Sequence, residues 1–135
     1  LVLAIAALAA GEGTLGRTVA YVKERHAFGQ PLAQLQNTRF TLAALKAQIE
    51  VNRAYLRQCA AQYERGELTT AAASIAKLSA TDLQFKVADE CLQLHGGYGY
   101  MREYPVSRDF VDARVQRIYG GANEIMKELV ARALY

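Results

Sequence analysis

The sequence predicts an all-α protein arranged as an up-and-down helical bundle. Three observations carry this expectation. Only two of the 135 residues are Pro, while 52% are hydrophobic and Ala and Leu recur throughout, a composition that favours long helices. Apolar residues return at spacings of three and four along successive stretches, and turn signals separate those stretches by short connections. No run alternates apolar and polar residues for long enough to read as a strand. A length of 135 residues suits one domain, residues 1–135, with a core of its own.

The first helix begins with the chain. Leu1, Ile5, Leu8, Leu15, Val19 and Val22 form one stripe, with Glu12 in the gap, so they are expected on one buried face. It should end between Lys23 and His26, because Gly29 and Pro31 follow and Pro31 holds Gln30 out of helix. Leu1 to Ala10 is wholly apolar, too short to span a bilayer, and lacks a basic lead or cleavage site. We read it as a helix entered in its middle, and the chain as a domain of a larger protein, with no membrane insertion.

A second helix is expected from Asn37 or Thr38 to Tyr63, with Thr38 as its cap and Leu42, Leu45, Ile49, Leu56 and Tyr63 as its stripe. Gly66 stops it. A third should run from Thr69 or Thr70 to Leu94, with Ile75, Leu78, Val87, Cys91 and Leu94 inward, and end at Gly96-Gly97. Pro105 opens a fourth that reaches Val115, since Pro is tolerated in a first turn. Asn123 is expected to cap a last helix whose Ile125, Leu129 and Ala133 share a face.

Composition excludes some functions. A net charge of +3, with basic and acidic residues interleaved, does not describe a nucleic-acid binder. Cys59 and Cys91 fall inside helical patterns and are expected as core residues; His26 and His95 stand far apart with no ligand partner at metal spacing, so no metal is expected.

Three segments carry chemistry beyond bundle packing. In Arg25-His26-Ala27-Phe28-Gly29, with Gln36 beyond, a guanidinium, an aromatic and an amide suit a nucleotide's phosphate, base and polar edges; the plainer reading is a helix end followed by a core-anchoring Phe28. In Gln93-Leu94-His95-Gly96-Gly97-Tyr98-Gly99-Tyr100, clustered glycines bring backbone amides within reach of an anion; the plainer reading is a helix stop with Tyr98 and Tyr100 in the core. No Gly-Lys-Ser/Thr follows and no strand precedes, so this is neither a P-loop nor a dinucleotide fingerprint. In Ile118-Tyr119-Gly120-Gly121-Ala122-Asn123-Glu124-Ile125, a Gly pair leads into a helix N-terminus, a place for an anion or a carbonyl oxygen; Glu124 there also complements the helix dipole.

In order and spacing these three segments resemble the acyl-CoA dehydrogenase family, along essentially the whole chain. The resemblance implies the C-terminal helical FAD and dimerisation domain of a flavoprotein oxidoreductase of fatty acid β-oxidation. It further implies that a glutamate takes the α-proton of an acyl-CoA thioester while the β-hydrogen leaves as hydride to FAD. The product is a trans-2-enoyl-CoA, and an electron-transfer flavoprotein accepts the electrons. Arg25, Phe28 and Gln36, and separately Gln93, Leu94, His95, Gly96 and Gly97, match positions that hold the FAD of a neighbouring subunit in a homodimer or homotetramer. Ala122, Asn123 and Glu124 match positions near the subunit's own FAD, and Tyr119 and Gly121 match positions at the thioester. Many members carry the catalytic Glu where this chain has Gly120. The sequence is most similar to the long-chain type, which places the base on the first helix, just upstream of the segment matching Leu1. The alternatives are a non-catalytic flavin-binding or dimerisation module, compatible with Gly120, and an unrelated helical interaction bundle. The compartment is left open: cytoplasmic in a bacterium, the mitochondrial matrix in a eukaryote.

Overall fold

The computed structural model describes residues 1–135. Five α-helices dominate it: α1 (Val2–Glu24), α2 (Gln36–Glu64), α3 (Thr70–His95), α4 (Pro105–Val115) and α5 (Asn123–Ala131). The all-α bundle expected from the sequence is observed. α3 is its hub, packing most extensively on α1 and also on α2, α4 and α5. A helix wrapped on so many sides needs apolar or internally bonded residues around most of its circumference. α3 meets this with Ala76, Ala80, Leu83, Val87 and Cys91, and with buried Ser74, Lys77, Thr81 and Gln84 among them. Its start is set by Thr69, whose Oγ1 accepts the Ala72 N–H at 3.1 Å.

The α1–α3 seam differs from the expected stripe. Leu8, Leu15 and Val22 are buried, but Ile5 is 47% exposed, and the close contacts are made by Ala4, Ala7, Gly11, Thr14 and Thr18. A β-carbon on Gly11 would stand only 3.7 Å from the Gln84 Cα, so the helices approach through small residues, which hydropathy spacing under-weights. α1 is long and apolar enough to cross a membrane by length and composition; here its small-residue face packs in the bundle. Glu12 pairs with Arg53 of α2 at 2.6 Å.

Other expectations are corrected. α2 starts at Gln36 after Leu35 with no side-chain cap; Thr38 is buried in its first turn and does not cap it. Tyr63 is 69% exposed and Ile75 is 38% exposed, each on a face that no element of this chain covers. α5 begins at Asn123, but the capping position is Ala122, and the Asn123 side chain points into the core. Ala133 lies past the end of α5, and Ile125 is exposed. Cys59 and Cys91 are both fully buried, as expected. Burial pushes the Cys91 thiol up to about 11, against the lowering effect of its hydrogen bond with Thr18.

A short hairpin also appears where no strand was expected. β1 (His26–Ala27) pairs antiparallel with β2 (Gln30–Pro31) across the turn Phe28-Gly29. Two-residue strands are too brief to leave an alternating pattern. Phe28 and Gly29 have φ of 54° and 77°, as a primed hairpin turn requires.

Candidate functional site

The segments singled out by sequence form two clefts at opposite ends of α3. The first holds about 550 Å³ and is lined by Arg25, Gln93, Leu94, His95, Gly96 and Gly97, with Tyr21 and Tyr98 beside them. Sequence places Arg25 and Gln93 far apart; the packing of α1 on α3 brings them together. α1 ends at Arg25, whose extended backbone (φ −74°, ψ 124°) turns the chain into the hairpin. Its guanidinium makes no ion pair and lies over the Tyr98 ring, 5.3 Å from the centroid. A cation held by an aromatic face and left without a carboxylate is available to an anion.

Phe28 and Gln36 lie outside this cleft. Phe28 is 90% exposed at the hairpin tip, in a left-handed conformation that is unfavourable for a bulky residue. It is no core anchor. Gln36, the first residue of α2, is exposed as well. Tyr100 is 88% exposed and Tyr98 is 38% exposed, so neither is an ordinary core aromatic. His95 is buried: its Nδ1 is 2.8 Å from the Cys91 carbonyl and its ring stacks on Tyr21 at 4.1 Å. It shapes the floor of the cleft by packing. Burial pushes the Tyr21 phenol upward, and the nearby Arg25 charge opposes that shift.

The second cleft holds about 390 Å³ and is lined by Leu1, Leu3 of α1, Ser74 and Lys77 of α3, Gly120 and Met126. Gly120 has φ of 63° and Gly121 has φ of 94°, both in the region that favours glycine. A β-carbon on Gly120 would overlap Leu3 Cδ1. Position 120 and the start of α1 therefore face the same space. Tyr119 is 44% exposed, and its hydroxyl donates to Gln116 Oε1 at 2.7 Å. Glu124 is exposed in the first turn of α5 and Ala122 is half-buried at its capping position.

Beneath this loop lies a buried polar network that sequence reading missed. Lys77 is 4% exposed; its Nζ donates to the Gly121 carbonyl at 2.8 Å and to Asn123 Oδ1 at 2.7 Å. Asn123 Nδ2 donates to Thr81 Oγ1 and Asp82 Oδ1, each at 3.0 Å. Arg117 closes the other end of the loop on Asp82 at 2.7 Å. Burial lowers the Lys77 pKa, Asp82 and Glu124 act against that, and Arg117 adds to it. The signal was present in the sequence: Lys77 falls on the same helical face as Ser74, Thr81 and Gln84, all buried. Asn123 is thus a core residue whose side chain is fully engaged within the chain.

A family model for the acyl-CoA dehydrogenase C-terminal domain matches residues 1–135. The chain belongs to the acyl-CoA dehydrogenase family. It is 52% identical over 134 residues to the long-chain specific acyl-CoA dehydrogenase of Sus scrofa mitochondria, covering 99% of this chain and 31% of that protein. The acyl-CoA dehydrogenase of Geobacillus kaustophilus superposes with a TM-score of 0.96 at 40% identity, covering 98% of this chain and 35% of that one. A glutaryl-CoA dehydrogenase from Mycobacterium smegmatis, in complex with FADH2, superposes with a TM-score of 0.94 at 25% identity, covering 98% and 34%. The chain thus spans about a third of the length of the acyl-CoA dehydrogenases it matches.

Proposed function

We propose that this chain is the C-terminal FAD and dimerisation domain of a larger acyl-CoA dehydrogenase. The whole enzyme would oxidise an acyl-CoA thioester to a trans-2-enoyl-CoA and pass electrons to an electron-transfer flavoprotein. The observation that carries this reading is the convergence of Arg25 with Gln93–Gly97 in one cleft, with Gly120 lining the other. The first cleft fits part of a flavin nucleotide: an unpaired guanidinium and the backbone at Gly96-Gly97 suit phosphates, and Phe28, exposed at the hairpin tip outside the cleft, offers a ring to a planar base. Lys77 and Gln93 are separated by about 24 Å along α3, at 1.5 Å per residue. That separation supports assigning the two clefts to two cofactor molecules, one from each subunit of a homodimer or homotetramer.

When bound, FAD supplies the hydride acceptor. The chain's own residues hold and orient. Arg25, Phe28, Gln36 and Gln93–Gly97 are assigned to a neighbouring subunit's cofactor, Ala122, Asn123 and Glu124 to the subunit's own, and Tyr119 and Gly121 to the thioester. Asn123 acts there by supporting the loop, since its amide is bonded inward.

Gly120 has no group that takes a proton, so the base must come from elsewhere. Leu3 lies against Gly120, and a residue three or four positions before Leu3 would share its helical face. We place the catalytic carboxylate there, upstream of Leu1. The same site would serve a glutamate at either position, which explains how glycine is tolerated at 120. The relatives with mitochondrial names support the matrix for a eukaryotic source; a bacterial protein would be cytoplasmic.

The test is acyl-CoA-dependent dye reduction by the full-length protein. Turnover that disappears when the upstream carboxylate becomes an amide is expected. Flavin retention without turnover would instead favour the non-catalytic module that Gly120 permits.

A further inference from the structure

We propose that Lys77 is a positioning residue that holds the Gly121–Ala122 peptide in a single orientation. The inference rests on the assignment of the Gly120–Gly121 loop to the reacting end of the site. Consecutive glycines with φ of 63° and 94° form a loop whose backbone is loosely restrained, because glycine has no β-carbon to narrow its conformations. A contact from outside the loop must fix where the peptide after them sits. The Lys77 ammonium does so by taking the Gly121 carbonyl at 2.8 Å, inside the bundle.

The consequence follows from peptide geometry. In a trans peptide the carbonyl and the following N–H point in opposite directions, and the chain has no cis bonds. With the Gly121 carbonyl drawn inward, the Ala122 N–H is turned away from Lys77. It has no acceptor within the chain and is free to donate to a ligand. Without the Lys77 contact the peptide would tilt and carry that donor off its line.

The rest of the network gives the clamp a fixed base. Lys77 Nζ also donates to Asn123 Oδ1 at 2.7 Å, and Thr81 and Asp82, on the next turn of α3, hold the Asn123 amide. The start of α5 and the glycine loop are therefore referenced to one helix. An ammonium buried to 4% exposure is costly to desolvate, and a neutral residue of similar volume would pack there without that penalty. Stability alone does not account for a lysine at this place; loop orientation does.

The experiment uses the full-length holoenzyme and its Lys77→Met variant. Turnover is expected to fall roughly a hundredfold, the penalty for about 1 Å of misplacement, with KM nearly unchanged. Amide hydrogen exchange at Asn123, whose N–H donates to the Arg117 carbonyl at 3.0 Å, should accelerate while α3 keeps its protection. Unchanged turnover together with unchanged exchange would overturn the proposal. If Met at 77 prevents folding, Lys77→Gln, neutral and too short to reach the Gly121 carbonyl, is read in the same two ways. A wild-type protein with no acyl-CoA oxidation would defeat the functional reading, while the exchange comparison would still decide whether Lys77 locks the loop.

Discussion

Arg25 and Gly120 show how much one side chain, or its absence, settles. Arg25 is legible in the sequence as a basic residue at a helix end, and the structure leaves it without a carboxylate partner, over Tyr98. In the full-length protein, Arg25→Ala should weaken FAD binding roughly ten- to a hundredfold, since a hydrogen bond to a charged group contributes about 1.5–3 kcal/mol. Gln36→Ala should do less, being neutral. Flavin fluorescence after dilution measures both, and full retention by both variants would remove these positions from the cofactor site. For Gly120 the structure sets a steric condition. With the upstream carboxylate neutralised, Gly120→Glu would restore activity if chemistry alone mattered. Here it meets Leu3 and a φ of 63°, so little rescue is expected from that change alone. Adding Leu3→Ala should make room and recover part of the roughly 10²–10⁴-fold contribution of a general base. With the upstream carboxylate retained, the extra Glu should reduce turnover, because two carboxylates in one desolvated site raise one pKa. Turnover across pH for the set of variants checks this.

The helices themselves were readable, and their starts and stops more so than their faces. Pro105 and Thr69 mark helix entries by local chemistry, and the structure places α4 and α3 accordingly. Faces were misjudged where small residues make the contact, as Ile5 and the α1–α3 seam show. Gly11 offers a test. A β-carbon there meets neighbours at ordinary van der Waals distance, from 3.7 Å. Gly11→Ala should therefore stabilise the chain by about 0.5–1 kcal/mol through helix propensity, measured by urea unfolding. A loss of stability would mean that the seam has no space for a methyl group. Cys91, buried where α1 and α3 meet, gives the element a pH signature. Its folded-state pKa of about 11 lies above the ordinary 9.0, so the folded chain keeps a proton that the unfolded chain releases. Stability is fully present below pH 9.0 and should decline toward pH 11, by at most about 1.4 kcal/mol per unit. Cys91→Ala should flatten that slope in unfolding curves.

At the scale of the molecule, the chain is a bundle with apolar faces left open. Val2 is 79% exposed, Val51 70%, Val111 67% and Phe40 64%, on α1, α2 and α4. In the proposed full-length enzyme these faces meet other domains or another subunit. The chain by itself should be helical, should self-associate, and should show no acyl-CoA-dependent dye reduction. A monomer in sedimentation velocity would count against reading these faces as contact surfaces, and measurable turnover would count against the placement of the base upstream of Leu1.

The sequence by itself determined the helical class, most helix limits, the buried cysteines and the family, because periodicity, Gly and Pro punctuation and motif spacing are local properties of the chain. It misplaced Asn123 and Thr38 as caps, since a capping residue type also serves in a core when a partner waits there. Only the tertiary structure decided that Arg25 meets Gln93–Gly97, that Leu3 fills the space beside Gly120, and that Lys77 grips the loop from 44 residues away. Each of these depends on how α1 and the loop before α5 settle on α3, and that docking is set by packing between residues far apart in the chain, which local spacing does not encode.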